Sequence, residues 1–275
     1  MKPAPFRYVR PGTVAEAVAA LAAAGGEARP LAGGQSLVPL MNLRLARPTV
    51  VVDLNRVGEL ERLAVEDGWL VIGAMVRHRR LATDPLVARH APLLAEAARW
   101  IGHGAIRARG TIGGSLAHAD PAAELPCAAI ALDAELSVDG PGGGRTVAAA
   151  GLVDGAFSTR LGGGELITAV RVPLAAGARR WGFAELARRH GDFALVLAAA
   201  TTGDGVAGVT LGGVAGAPLR VEVEGGLDEA GIPAVAARCR DACHPGDDVH
   251  ATAAWRRAMV EVLVTRVLRQ ALPGR

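Results

Sequence analysis

The chain has 275 residues, with 30 basic and 27 acidic side chains and a net charge of +3. That length suits one large domain or two small ones with a core big enough to fold without disulfides. With 51% hydrophobic and 21% charged residues, intrinsic disorder is excluded; 3% aromatics and interspersed charges leave no basic, ring-lined surface for nucleic acid, so none is expected as a partner.

In chain order, Phe6–Val9 is predicted as a short strand. Thr13-Val-Ala-Glu16 is a capping box that opens a helix running to about Ala24, where Gly25-Gly26 stops it. Short strands follow at Arg29–Ala32 and Thr49–Leu54. Leu60–Glu66 and Trp69–Gly73 flank Asp67-Gly68, a hairpin signal. Helical patterns cover His78–Ala82 and Pro92–Ile101, and Asp120-Pro121 is expected to open another helix, with Asp120 as N-cap and Pro at the first position. Strands resume at Glu135–Val138 and Arg145–Ala149 across a Gly-Pro-Gly-Gly-Gly turn, then at Glu165–Val172. A second region begins near Gly177. There Arg179–Ala187, Phe193–Thr202 and Val206–Val214 form an antiparallel meander with Asp204-Gly205 as its second turn. Two helices, about Asp228–Arg240 and Ala251–Ala271, end the chain, and the latter has an apolar stripe of Met259, Leu263, Val267 and Leu268. The fold class is α+β throughout.

Three cysteines, Cys127, Cys239 and Cys243, suit a reducing compartment. Cys239, Cys243, His244 and His250 have poor spacing for a metal site, so ordinary thiols near a helix end are expected and no metal. MKPAPFRY has no apolar signal core, and the longest uncharged run, Gly205 to Leu219, is Gly-rich and shorter than the roughly 18 residues of a membrane span. The expected location is the cytoplasm, or the inner face of the membrane through peripheral attachment by partners.

The glycine clusters carry the functional signal. No Walker A motif occurs. Gly203-Asp-Gly205-Val-Ala-Gly208 has the dinucleotide spacing but is followed by Val209-Thr-Leu211, a strand pattern rather than a helix, and is read as a hairpin turn. Ala32-Gly33-Gly34-Gln35-Ser36 and Thr111-Ile112-Gly113-Gly114-Ser115 each join two adjacent glycines to a hydroxyl. Cβ-free residues let successive amides turn inward as an anion nest, and two such loops suggest a diphosphate held from both sides by neutral donors. That suits a chain whose one lysine is Lys2.

These segments also carry a family resemblance. RPLAGGQSLVPLMNLRLARPTVVVDLNRV (29–57), IRARGTIGGSLAHADPAAELP (106–126) and GFAELARRHGDFAL (182–195) resemble, in order, motifs of the FAD-binding medium subunit of molybdenum hydroxylases, most closely the carbon monoxide dehydrogenase type. The resemblance implies an FAD-binding domain of the PCMH type over residues 1–176, built of α+β subdomains at about 1–56 and 57–176. A C-terminal medium-chain domain over 177–275, with a three-stranded antiparallel sheet and helices, would follow. It implies non-covalent FAD, with its pyrophosphate on Ala32, Gly33, Gly34, Gln35 and Ser36 and on Thr111, Ile112, Gly113, Gly114 and Ser115. Arg29 and Leu31 lead into the first segment. Ile101 would pack along the flavin or its linker, Asp120 and Glu124 would approach ribityl or ribose hydroxyls, and the backbone at Ile167 would face the cofactor. Phe193 stands where relatives place an aromatic near the ring, against the alternative of sheet core. Ser115 replaces an Asn frequent in close relatives, and an acid, Glu185, stands near a position where distant relatives have a flavin-contacting lysine.

By the same resemblance, the chain receives electrons from a small subunit with two [2Fe–2S] clusters, docked near the flavin ring, and passes them to an external acceptor. Substrate is oxidised on a molybdopterin-binding large subunit, the whole assembling as a dimer of heterotrimers. Three cysteines cannot ligate two Cys₄ clusters. No catalytic triad or acid pair is legible, and the seven histidines are scattered. The alternatives are a stand-alone flavin oxidoreductase and a nucleotide-binding assembly or regulatory protein without redox role.

Overall fold

The computed structural model describes residues 2–203, 206–223 and 227–272. Its first layer is β1 (Arg7–Val9), α1 (Val14–Ala23), β2 (Ala28–Leu31), α2 (Leu37–Asn42) and β3 (Val50–Asp53). The three strands pair in parallel in the order β1-β3-β2. Thr13 caps α1 through its hydroxyl, which accepts from the Glu16 amide at 3.2 Å. The Glu16 carboxylate reaches one residue further back than a standard capping box and accepts from the Gly12 amide at 2.7 Å. The chain leaves α1 through Gly25 and Gly26, both at positive φ.

After a 3₁₀ turn at Gly58–Glu61 come β4 (Leu63–Glu66) and β5 (Trp69–Gly73), joined by the expected turn, with Asp67 at φ 48° and Gly68 at φ 82°. Six helices follow: α3 (His78–Thr83), α4 (Pro85–His90), α5 (Pro92–Trp100), α6 (Gly104–Arg109), α7 (Ile112–His118) and α8 (Glu124–Ala131). Then come β6 (Glu135–Gly140), β7 (Gly143–Ala148), α9 (Ala149–Leu152), β8 (Val153–Gly155), β9 (Ser158–Thr159), β10 (Leu166–Pro173) and α10 (Leu174–Gly177). Strands in the order β4-β5-β10-β6-β7 form an antiparallel sheet against which the helices pack.

Two expectations are corrected here. Asp120 is not a helix N-cap: its carboxylate accepts from the Ala122 amide at 2.9 Å in a turn, and α8 starts only at Glu124 with Ala123 at the cap. Thr111–Ser115 is not a free loop: Thr111 is the N-cap of α7, and the two glycines lie in its first turn.

The last part holds β11 (Arg180–Leu186), β12 (Val196–Gly203), β13 (Val206–Gly212), β14 (Leu219–Glu222), α11 (Ile232–Ala242) and α12 (Ala253–Ala271). The sheet has four strands, one more than expected, because the short, half-buried Leu219–Glu222 pairs with β13. β12 and β13 pair out to Gly203 and Val206; the intervening Asp204-Gly205 turn lies outside the described residues. Phe193 precedes β12 instead of opening it.

One face of this sheet, with Phe183, Leu197 and Ala199, belongs to the same core as α5, α8 and the second sheet. The other face, with Ala184, Val196 and Ala198, packs on α11 and α12, where Leu263, Val267 and Leu268 are buried as the stripe requires. Small side chains permit both contacts. Gly182 lies so close to α12 that a Cβ would stand 2.1 Å from the Val267 carbonyl oxygen. Gly182→Ala is therefore expected to lower stability by about 1–3 kcal/mol, read from urea unfolding of the apo chain; a change within error would show that β11 and α12 can part freely.

Candidate functional site

The first glycine segment grows from the parallel sheet. Ligand-binding loops gather at the carboxyl ends of parallel strands. Here β2 ends at Leu31 and turns through Ala32–Ser36 into α2. Gly34 takes φ +74°, a conformation that favours glycine. Among the described residues, the amides of Gly33, Gly34, Gln35 and Ser36 donate to no protein acceptor. The Gln35 side chain donates to the Gly33 carbonyl at 2.9 Å and braces the turn. Ser36 sits at the start of α2 without capping it, so its hydroxyl is also uncommitted. Four successive amides and a hydroxyl make a neutral cradle for an anion. Leu31 packs beneath Gly34, while Arg29 donates to the Gly26 and Ala28 carbonyls beside the α1 turn.

The second segment works differently. Its amides are already in use: Ile112 donates to Val76 O at 3.1 Å, Gly113 to Ala74 O at 2.9 Å, Gly114 to the Thr111 hydroxyl at 3.1 Å, and Ser115 to Thr111 O at 3.0 Å. Its glycines serve close packing rather than an open nest. A Cβ on Gly113 would stand 2.6 Å from Ala74 Cβ, and one on Gly114 would be 2.8 Å from the Thr111 hydroxyl and 3.6 Å from Ala32 Cβ. The Ser115 hydroxyl is free to meet a ligand, whereas that of Thr111, buried and already accepting from Gly114, keeps only its proton to donate.

The two segments touch. A Cβ on Gly33 would lie 2.3 Å from the Arg109 carbonyl oxygen and 2.8 Å from Gly110 Cα, so the first segment rests on the backbone entering the second. Beneath Gly110 lies His78, only 6% exposed, whose ring nitrogens find no partner. Burial, with Arg77 and Arg107 nearby, lowers its pKa to about 4, so it is a neutral strut. Gly33→Ala must push the segments apart; FAD affinity is expected to fall at least about tenfold, or 1.4 kcal/mol, by fluorescence titration of the apo chain. Wild-type affinity in this variant would mean that the contact does not shape the site.

The other expected residues lie further along the same stretch of chain. Ile101 is buried at the end of α5, with its carbonyl accepting from Arg107 at 2.9 Å. The next residue, Gly102, abuts Gly191, whose Cβ would stand 2.8 Å from the Gly102 carbonyl oxygen. Two residues on, Phe193 is 67% exposed, which removes the alternative that it is sheet core. Buried Arg256 holds the flanking backbone by donating to Leu195 O at 2.7 Å and Gly213 O at 3.3 Å. Ile167 is buried in the first core, and the neighbouring Thr168 carbonyl accepts from Ala74, behind the second segment.

Glu124, beside Asp120, meets a further acid in a pairing that leaves no trace in the sequence. Glu185 on β11 is 7% exposed, and neither carboxyl oxygen has a partner. Burial and the neighbouring Glu124 push its pKa up to about 8; burial raises Glu124 itself to about 7, with Asp120 adding to the shift. Glu124 is thus not a simple ionised acceptor at neutral pH. Between about pH 4.5 and 8 the unfolded chain binds fewer protons at Glu185 than the folded chain, so stability falls as pH rises through that window. Glu185→Gln is expected to flatten this fall, measured as the urea midpoint of the apo chain against pH; an unchanged slope would place the buried charge elsewhere.

Sequence reasoning also missed Asn55 and Arg77, which join the glycine segments. They stand 22 residues apart with no motif spacing, and the only hint was a polar residue just past the buried strand β3. No group of His, Cys, Asp and Glu suited to a metal occurs among the described residues, and all three cysteines are buried thiols.

The geometry defines a class: an α+β protein with a row of free backbone donors, suited to an anion, seated against a second glycine segment. Residues 4–175 match a family model described as the FAD binding domain in molybdopterin dehydrogenase, and residues 181–271 match the CO dehydrogenase flavoprotein C-terminal domain. The 6-hydroxypseudooxynicotine dehydrogenase complex subunit alpha of Paenarthrobacter nicotinovorans is 38% identical, covering 99% of this chain and 96% of that one. Among solved structures, carbon monoxide dehydrogenase from Hydrogenophaga pseudoflava aligns with a TM-score of 0.93 at 36% identity, covering 98% of each chain. Quinoline 2-oxidoreductase from Pseudomonas putida 86 aligns with a TM-score of 0.92 at 36% identity, again covering 98% of each. The chain belongs to the family of FAD-binding medium subunits of the molybdenum hydroxylases.

Proposed function

We propose that this chain is the electron-transfer flavin subunit of a three-chain molybdenum hydroxylase. The observation that carries it is the row of uncommitted amides at 33–36, seated against the backbone that leads into the second glycine segment. FAD, when bound, supplies a carrier that takes up electrons from one-electron donors and releases them to an acceptor. The protein's part is to bind and orient it. The amides of Gly33 to Ser36 and the hydroxyls of Ser36, Thr111 and Ser115 hold the diphosphate. Ile101 and Phe193 offer apolar surface toward the ring, and Asp120 and Glu124 receive hydroxyl groups. Residues 1–176, with subdomains divided near residue 56, form the cofactor domain, and 177–275 close it from the side of Glu185 and Phe193.

The chain lacks the means to do the rest alone. Its three cysteines are buried, and three cannot ligate two Cys₄ clusters. The clusters therefore belong to a small [2Fe–2S] subunit and substrate oxidation to a large molybdopterin subunit, in a dimer of heterotrimers. The relatives act, by their names, on carbon monoxide, quinoline and a nicotine derivative, while this chain aligns with their components almost end to end. Substrate choice thus lies on the large subunit. No described helix is long and apolar enough to cross a membrane. We place the complex in the cytoplasm, or at the inner face of the membrane by peripheral attachment.

The purified chain is expected to be yellow and to release all its FAD on denaturation and precipitation. A colourless protein that takes up no FAD on reconstitution would overturn the proposal. Flavin remaining with the precipitate would overturn non-covalent attachment alone.

A further inference from the structure

A short polar chain runs from the first sheet to the second glycine segment. Asp53, at the end of β3, accepts from the Tyr8 hydroxyl and faces Arg10 at 3.8 Å. Its Oδ1 accepts from the Asn55 amide at 2.9 Å and from Asn55 Nδ2 at 2.5 Å. Asn55 Nδ2 also donates to the Ala32 carbonyl at 3.0 Å, in the first glycine segment. Asn55 Oδ1 accepts from Arg77 Nη2 at 2.7 Å, and Arg77 Nη1 donates to the Arg109 carbonyl at 2.6 Å. That carbonyl is the one against which Gly33 rests.

Both residues are well matched to this task. A carboxamide presents a donor and an acceptor on one rigid plane, so Asn55 can bind Ala32 and Arg77 at once. A guanidinium presents several donors in a fixed fork, so Arg77 can reach Asn55 and Arg109 together, which a lysine cannot do with the same rigidity. Arg77 is half-buried. Hydrogen bonds of this kind, with one charged partner, are stronger than neutral ones.

We propose that Asn55 and Arg77 form a clasp that fixes the separation of the two glycine segments, and so governs affinity for the diphosphate of the bound dinucleotide. Both are positioning residues: neither needs to touch the cofactor, and each acts through the backbone it holds, at Ala32 and at Arg109. The inference rests on the flavin reading above. It adds to that reading that diphosphate recognition depends on two side chains outside either glycine motif.

The test uses the full apo chain with FAD, ADP and riboflavin as probes. In Asn55→Ala and in Arg77→Lys, affinity for FAD and for ADP is expected to fall at least about tenfold each. Riboflavin, which has no diphosphate, should bind as it does to the wild type. The double variant should bind FAD no more weakly than the worse single variant, since either change opens the same clasp. FAD binding within twofold of wild type in both single variants, or equal losses for all three probes, would overturn the proposal. If Asn55→Ala does not fold, Asn55→Asp decides. It keeps the acceptor for Arg77 but removes the donor to Ala32 and to Asp53, so a tenfold loss for FAD with native circular dichroism, shared by Arg77→Lys, supports the clasp, while a loss confined to Asn55→Asp, or wild-type affinity, overturns it. If the wild-type chain itself binds no FAD, the flavin reading fails and the clasp is judged on amide exchange. Faster exchange at Ile112 and Gly113 in Asn55→Ala or Asn55→Asp supports it, and unchanged exchange overturns it.

Discussion

The approach of Gly33 to the Arg109–Gly110 backbone is the constraint on which the site depends. No side chain fits between the two segments, since even a Cβ would overlap the Arg109 carbonyl. Glycine there is thus a requirement of packing between subdomains rather than of local turn geometry. The first segment can then keep its own amides free, because its position is fixed from outside. The backbone of Ala74 and Val76 does the corresponding work for the second segment by taking up the amides of Gly113 and Ile112. One segment is a donor cradle, and the other is a wall that places two hydroxyls.

Much of this was legible in the sequence, though unevenly. The Thr13 cap, the Asp67-Gly68 turn and the meander segments that contain β12 and β13 are local signals. Both glycine pairs stand out in the sequence, but the pattern predicts a loop for the second. A Gly-Gly pair lowers helix propensity; the helix begins there because the Thr111 hydroxyl caps it, and the tight contact with Ala74 requires glycine at 113. The helix expected from Asp120-Pro121 begins three residues later because Asp120 closes a turn on Ala122 instead. Helices as short as Pro85–His90 and Gly104–Arg109 are too brief to show a period. Asn55, Arg77 and the Glu124–Glu185 pairing are products of tertiary structure and leave no spacing to detect.

The buried acids show a different economy. Glu185 has neither an ion-pair partner nor a hydrogen bond, and Glu124 stands beside it. Such a group is tolerated only by keeping its proton. Arginine dominates the basic residues elsewhere on the chain, but none is drawn to these two acids.

The shared core has a last consequence. Phe183, Leu197 and Ala199 of the last sheet lie in one apolar body with α5 and α8, and the Gly213 amide is tied to the Pro121 carbonyl at 2.8 Å. The two family modules are therefore not beads on a string. Electron hopping between redox centres weakens exponentially with separation, so a relay protein gains nothing from a hinge beside its carrier. Welding the modules through small side chains gives one continuous scaffold, in which no hinge stands between the flavin-binding part and the last sheet.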